Sequence, residues 1–184
     1  MLNIRLLGMT RRIVFLVFVA FVLFLTMSCT KGGEEPKQTD SSTAPLFVIE
    51  GIGGKKVSLA DYRGKVVILE FFATWCEPCR ISAPELQSIY ARYKERGVAI
   101  IAVAADEGPH AITRVKSFVK EYGLSYDAAI DSGQVMKQYG AFTLPTTVII
   151  DREGKIRSKH LGISGDYAKR IASEIDPLLK QQEK

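Results

Sequence analysis

The sequence predicts an α/β domain with a mixed central sheet flanked by helices, and three observations carry that prediction. Two runs, 66–72 and 98–104, are apolar at almost every position, as strands buried on both faces are. Segments of helical period follow each run, with apolar residues three and four apart through 81–93 and 112–122. Later, 147–150 and 156–161 flank the polar turn Asp151-Arg152-Glu153-Gly154-Lys155, a hairpin signal that adds an antiparallel pair.

The elements follow in order. Apolar density rises from Pro45, and residues 46–50 and 56–59 read as short strands around Gly51-Ile52-Gly53-Gly54. Residues 66–72 form the first long strand. Residues 76–96 read as a helix with Ile81, Leu86, Ile89 and Tyr93 near one face and Gly97 as its stop. Pro84 inside it implies a kink, because proline removes an intrahelical bond. Residues 98–104 are a second buried strand. Ile112, Val115, Phe118, Val119 and Tyr122 repeat at helical spacing and end at Gly123. A weak strand near 126–130 and a short helix near 134–139 precede the hairpin. Tyr167, Ile171, Ile175 and Leu178 mark a closing amphipathic helix. There is no internal repeat.

Charge and hydropathy divide the 184 residues into three parts. Lys and Arg number 25 against 20 Asp and Glu, a formal +5, but residues 1–28 hold Arg5, Arg11 and Arg12 and no acid. With those three set aside, 22 basic residues face 20 acidic ones, a balance that does not suggest a nucleic-acid binder. The arginines precede the apolar run 13–25, which has secretory length and is short for a membrane span. Small Ser28 before Cys29 resembles the lipobox of bacterial lipoproteins, with Thr26 where that motif usually has Leu, Val or Ile. Residues 1–28 are thus read as a signal or anchor segment, with Cys29 a candidate lipidation site and an uncleaved anchor the alternative. Residues 29–44, rich in Gly, Ser, Thr, Glu and Lys, read as a flexible tether, and 45–184 as the folded domain. Each reading exports the domain.

Besides Cys29, the only cysteines are Cys76 and Cys79, too few for a disulfide-stapled scaffold. They stand two residues apart where an apolar strand ends and a helix begins. A helix N-terminus presents unpaired N–H groups and partial positive charge, which favour a thiolate over a thiol. Cys76 is placed to attack a disulfide, and Cys79, one turn further on, to displace the mixed disulfide. Zinc is excluded by ligand number and spacing, with His110 and His160 read as surface residues. Haem attachment is excluded because Arg80 follows the second cysteine where histidine is needed.

With Ala73-Thr74-Trp75-Cys76-Glu77-Pro78-Cys79-Arg80 at a strand–helix junction, the chain resembles the thioredoxin-like fold. Gly64-Lys65 before the first long strand, Pro84, Leu144-Pro145-Thr146-Thr147 and the 151–155 turn narrow the likeness. Across roughly 45–182 it is similar to the TlpA/ResA-type family of membrane-anchored extracytoplasmic thiol–disulfide oxidoreductases. That resemblance implies an N-terminal β extension and a central insertion in the fold. It also implies a cis Pro145 against the cysteines and Leu144 offering its backbone to an extended substrate segment. Protein thiols and disulfides are the implied substrates, apocytochrome c thiols among them, and the implied electron donor is a membrane protein. No cofactor beyond the Cys76–Cys79 pair is required, and a monomer is expected.

Glu70 lies six residues before Cys76, where thioredoxins carry a buried acid, on the same strand face as Phe72. Partial burial would raise its pKa and equip it to take the proton of Cys79; a purely structural acid is the alternative. Many relatives place a Glu three residues after the second cysteine. Ser82 stands there, so that acid's role does not transfer, and Glu85 falls on the wrong part of the helix. Glu77 disfavours a neighbouring anion and Pro78 removes a donor, which together lean toward a reductant, while Arg80 and the helix charge oppose them. Trp75 is read as shielding the sulfurs and forming part of the docking surface, with pure packing the alternative. A dithiol oxidant, a peroxidase-type redoxin and a tethered partner-binding module stay open beside the reductase reading.

Overall fold

A computed structural model describes residues 42–180. The expected anchor segment, Cys29 and most of the expected tether lie outside these residues. Seven strands form one sheet: β1 (Val48–Gly51), β2 (Lys56–Ser58), β3 (Val66–Phe72), β4 (Val98–Ala104), β5 (Asp127–Ile130), β6 (Thr146–Ile150) and β7 (Ile156–Leu161). Their order is β2-β1-β5-β4-β3-β6-β7. Strands β3, β4 and β5 are mutually parallel, and the remaining pairings are antiparallel. Among the described residues there are four α-helices: α1 (Glu77–Tyr93), α2 (Ala111–Glu121), α3 (Gln134–Gln138) and α4 (Tyr167–Lys180). The β1–β2 hairpin precedes the long strands, and α2, β5 and α3 lie between β4 and β6 in the chain.

Strand β3 is central and buried at all seven positions, which explains its continuous apolar run. Alternation then sorts its side chains. Val66, Ile68 and Phe72 pack with Leu86, Ile89 and Tyr93 of α1 and Ile171 and Ile175 of α4. Val67, Leu69 and Phe71 pack on the other face with Ile101, Val103, Val148 and Tyr139. Glu70 therefore shares the α1/α4 side with Phe72, as its sequence parity requires.

Helix α1 begins where Cys76 acts as N-cap with Pro78 in the first turn, a position that needs no intrahelical N–H donor. A 3₁₀ turn, Lys94–Arg96, carries it to Gly97, whose φ of 90° ends the run. Its buried face is Cys79, Ser82, Leu86, Ile89 and Tyr93, a three-and-four spacing. Ile81, assigned to that face from sequence, lies off the stripe and is 51% exposed.

Three further expectations are corrected. Ser42, Thr43 and Ala44, assigned to the tether, are paired with the β6–β7 turn: Ala44 N–H donates to the Gly154 carbonyl at 2.9 Å, and Thr43 bridges Lys155. In α4 the buried residue of the last turn is Leu179, one residue after the expected Leu178, because it continues the fourfold spacing from Ile171 and Ile175. His110 is exposed at the start of α2, but His160 is half-buried on β7, 2.9 Å from the Glu174 carboxylate.

Candidate active site

The carboxyl ends of β3 and β4 and the start of β6 converge at one end of the sheet. Phe72 pairs with Ala104, and Phe71 pairs with Thr146, which follows Pro145 directly. The chain leaving β3 runs through Ala73, Thr74 and Trp75 into Cys76, so the Leu144-Pro145 segment and the cysteines meet at this end. Cys76 and Cys79 are joined as a disulfide with a Cα–Cα distance of 5.3 Å. Both are buried among apolar side chains, Cys79 almost completely at 1% exposure. The Cys79 N–H donates to Cys76 Sγ at 3.3 Å, one helix-terminal donor aimed at that sulfur. Such a donor stabilises negative charge when Cys76 is a thiolate.

One turn along α1, Ser82 Oγ lies 2.7 Å from Glu70 Oε1 and 3.1 Å from the Cys79 carbonyl oxygen. Glu70 is only 3% exposed. Its strand neighbours are Ala102 on β4 and Thr147 on β6, neither of which offers a cation. Burial pushes the carboxyl up to about 7, with the Ser82 hydrogen bond opposing the rise. The expected partly buried acid is thus fully buried. Position 82, where the relatives' acid is missing, instead holds the partner of an acid from β3. Glu85 accepts the Ala168 N–H at 2.8 Å at the start of α4, which accounts for it structurally.

The loop before Cys76 is held at Thr74. Asp106, just beyond β4, accepts the Thr74 N–H at 2.9 Å and the Thr74 hydroxyl at 2.5 Å, and it receives Arg114 Nε at 3.2 Å. Arg80 donates to the Thr74 carbonyl at 2.9 Å and ion-pairs with Glu121 at 3.5 Å. Much of the charge that the sequence set against Glu77 is therefore spent within the protein.

The Leu144–Pro145 peptide bond is cis. Leu144 is partly buried and packs against the cluster that contains both cysteines. Glu77 and Pro78 are exposed, and Trp75 is 70% exposed, so packing does not account for its indole. Three features escaped the sequence reading. Asp106 was discoverable as an acid beyond the carboxyl end of a strand parallel to β3. Phe142, 82% exposed three residues before Pro145, was visible as an aromatic in the loop that leads to Pro145. Nothing local marked Ser82 as the partner of Glu70, twelve residues away. Among the described residues, no cluster of three or more His, Cys, Asp or Glu could hold a metal ion, and no helix is long and apolar enough to cross a membrane.

Comparison with known proteins agrees with this geometry. The AhpC/TSA family matches residues 41–159. The chain is 38% identical over 164 residues to the thiol-disulfide oxidoreductase ResA of Bacillus cereus, covering 89% of this chain and 91% of that protein. It is 36% identical over 144 residues to the ResA of Bacillus subtilis, covering 78% of each. A Chlorobium tepidum structure described as a candidate thiol:disulfide interchange protein DsbE superposes with a TM-score of 0.69 at 33% identity, over 75% of this chain and 96% of that one. With its CxxC pair at the start of α1, the chain belongs to the thioredoxin-like AhpC/TSA family and is a thiol–disulfide oxidoreductase.

Proposed function

We propose that this protein is a reductase of protein disulfides, tethered to the outer face of a membrane, in which Cys76 attacks and Cys79 resolves. The observation that carries the exchange chemistry is the buried Cys76–Cys79 pair with a helix N–H on the Cys76 sulfur, and the reducing direction rests on Glu77 and Pro78. In the reduced enzyme the Cys76 thiolate attacks one sulfur of a substrate disulfide. That S–S bond breaks, a mixed disulfide forms, and the first substrate sulfur leaves as a thiolate that water protonates. Cys79 then passes its proton to Glu70 and attacks Cys76 Sγ. The mixed disulfide breaks, the second substrate thiolate leaves, and two electrons have moved from the enzyme dithiol to the substrate.

Several residues support this cycle. The buried Glu70 has a proton affinity matched to neutral pH, as a proton acceptor requires. Leu144 and cis Pro145 stand at the site as the place where an extended substrate segment pairs, and Trp75 offers it an exposed aromatic surface. Glu77 beside Cys76 and Pro78 between the cysteines favour the reducing direction. The pair itself carries the electrons, so no cofactor takes part. Arg5, Arg11 and Arg12, the apolar run 13–25 and Ser28-Cys29 support export with lipidation at Cys29. A membrane protein would return electrons to the pair, and apocytochrome c thiols are among the substrates the family resemblance suggests.

Insulin reduction by the full-length chain with a small thiol as donor tests the cycle. Activity should vanish in Cys76→Ser, and Cys79→Ser should accumulate substrate disulfide-linked to Cys76. Peroxide consumption without insulin reduction would replace this reading with a peroxidase.

A further inference from the structure

The hydroxyl of Ser82 has two oxygens within reach and a single proton. Glu70 Oε1 is at 2.7 Å and the Cys79 carbonyl oxygen at 3.1 Å. A serine can donate only once, although it can accept at the same time. When Glu70 is ionised its oxygen is acceptor-only, and the short contact places the Ser82 proton on it. When Glu70 is protonated, the same contact runs in reverse. Glu70 donates to Ser82 Oγ, and the Ser82 proton turns to the Cys79 carbonyl. Both arrangements use the same heavy-atom positions.

We propose that Ser82 is a positioning residue that sets the proton affinity of Glu70 and relays the protonation state of Glu70 to the peptide group of Cys79. Ser82 is fully buried, so water does not compete for its proton. Among the described residues Ser82, on the α1 side, is the side chain hydrogen-bonded to the carboxyl, while the buried Tyr126 hydroxyl makes no hydrogen bond. Tyr126, on the approach to β5, and Tyr167 of α4 both sense the Glu70 charge, and burial keeps both phenols neutral. The Tyr167 hydroxyl is shared with Thr147 Oγ1 at 2.7 Å, and β4 presents Ala102. Ser82 is thus the hydrogen-bond partner that couples the β3 acid to the helix bearing Cys79. In the exchange cycle, the proton that Cys79 gives to Glu70 would redirect the Ser82 hydroxyl onto the residue that released it. That consequence rests on the catalytic reading of Glu70 given above, whereas the coupling itself does not.

The test uses full-length oxidised protein without substrate, so its failure is separable from a failure of exchange activity. NMR follows the Glu70 side-chain carboxyl and the Cys79 backbone carbonyl through a pH titration. In the wild type both signals should move with one common midpoint. In Ser82→Ala the Glu70 midpoint should rise by about one pH unit, since a hydrogen bond favouring the anion is lost, and the Cys79 carbonyl should stop following it. Ser82→Thr keeps the hydroxyl and should restore both behaviours, which a merely space-filling role would not predict. An unshifted Glu70 midpoint in Ser82→Ala overturns the proposal. If that variant does not fold, the wild type alone decides, because a Cys79 carbonyl that ignores the Glu70 titration overturns it equally.

Discussion

Asp106 holds Thr74 by both its backbone N–H and its hydroxyl, at 2.9 and 2.5 Å, and so anchors the loop that leads into Cys76 to the end of the neighbouring strand. Asp106 is itself buried and receives Arg114 at 3.2 Å, so the clamp is a fully paired network.

Removing the carboxylate leaves two buried donors of Thr74 without partners. Asp106→Ala should therefore destabilise the domain by about 2–4 kcal/mol in urea unfolding, and Asp106→Asn by less. Insulin reduction should fall several-fold, because the segment preceding Cys76 loses its anchor. A stability change within about 0.5 kcal/mol would mean that the network contributes little.

Glu70 makes stability depend on pH. The folded protein holds its proton up to about pH 7, whereas the ordinary value for the group is 4.5. The folded state therefore binds more protons across that window, and this component of stability, complete at acid pH, is lost as pH rises through about 7. Its size is about 3 kcal/mol. Glu70→Gln should flatten unfolding free energy against pH across the window, and an unchanged slope would show that the carboxyl is not held neutral.

Trp75 is exposed next to a buried disulfide, so its contribution should be to binding. Trp75→Ala should change thermal stability by less than about 0.5 kcal/mol. It should also raise KM for insulin several-fold with kcat little altered, since buried aromatic area dominates such contacts. Equal KM values for the two proteins would remove Trp75 from the docking surface.

Gly51 ends β1, and a Cβ there would overlap the carbonyl oxygen of Lys55, the partner of the Gly51 N–H in the β1–β2 turn. Gly51→Ala should cost about 1–3 kcal/mol in chemical denaturation while leaving the cysteine site intact. Wild-type stability would show that the hairpin yields instead.

Strands β3 and β4 were legible residue for residue, because burial on both faces writes itself into consecutive positions, and β7 was legible through the 151–155 turn that precedes it. The start of α1 was equally plain, since a CxxC with proline in the first turn fits few local geometries. Helix faces were read less well. Ile81 was placed in the core because an apolar residue at near-helical spacing differs from a core one by only a fraction of a turn. The fixed end of the tether was missed because Ser42, Thr43 and Ala44 have no pattern of their own, and their pairing with the 151–155 turn and the start of β7 is a tertiary contact.

The sequence alone determined that this is an exchange protein of thioredoxin-like class, because Cys76 and Cys79 act through local chemistry: a strand end, a helix start and a three-residue spacing. What surrounds the cysteines was decided by tertiary structure. Glu70 and Ser82 are twelve residues apart on different elements, Thr74 and Asp106 thirty-two, and each pair exists only because β3 and β4 end where α1 begins. Hydrogen bonds across such distances depend on register and packing, which no single segment encodes. The tertiary structure therefore turned Ser82 from a missing acid into the partner of a buried one.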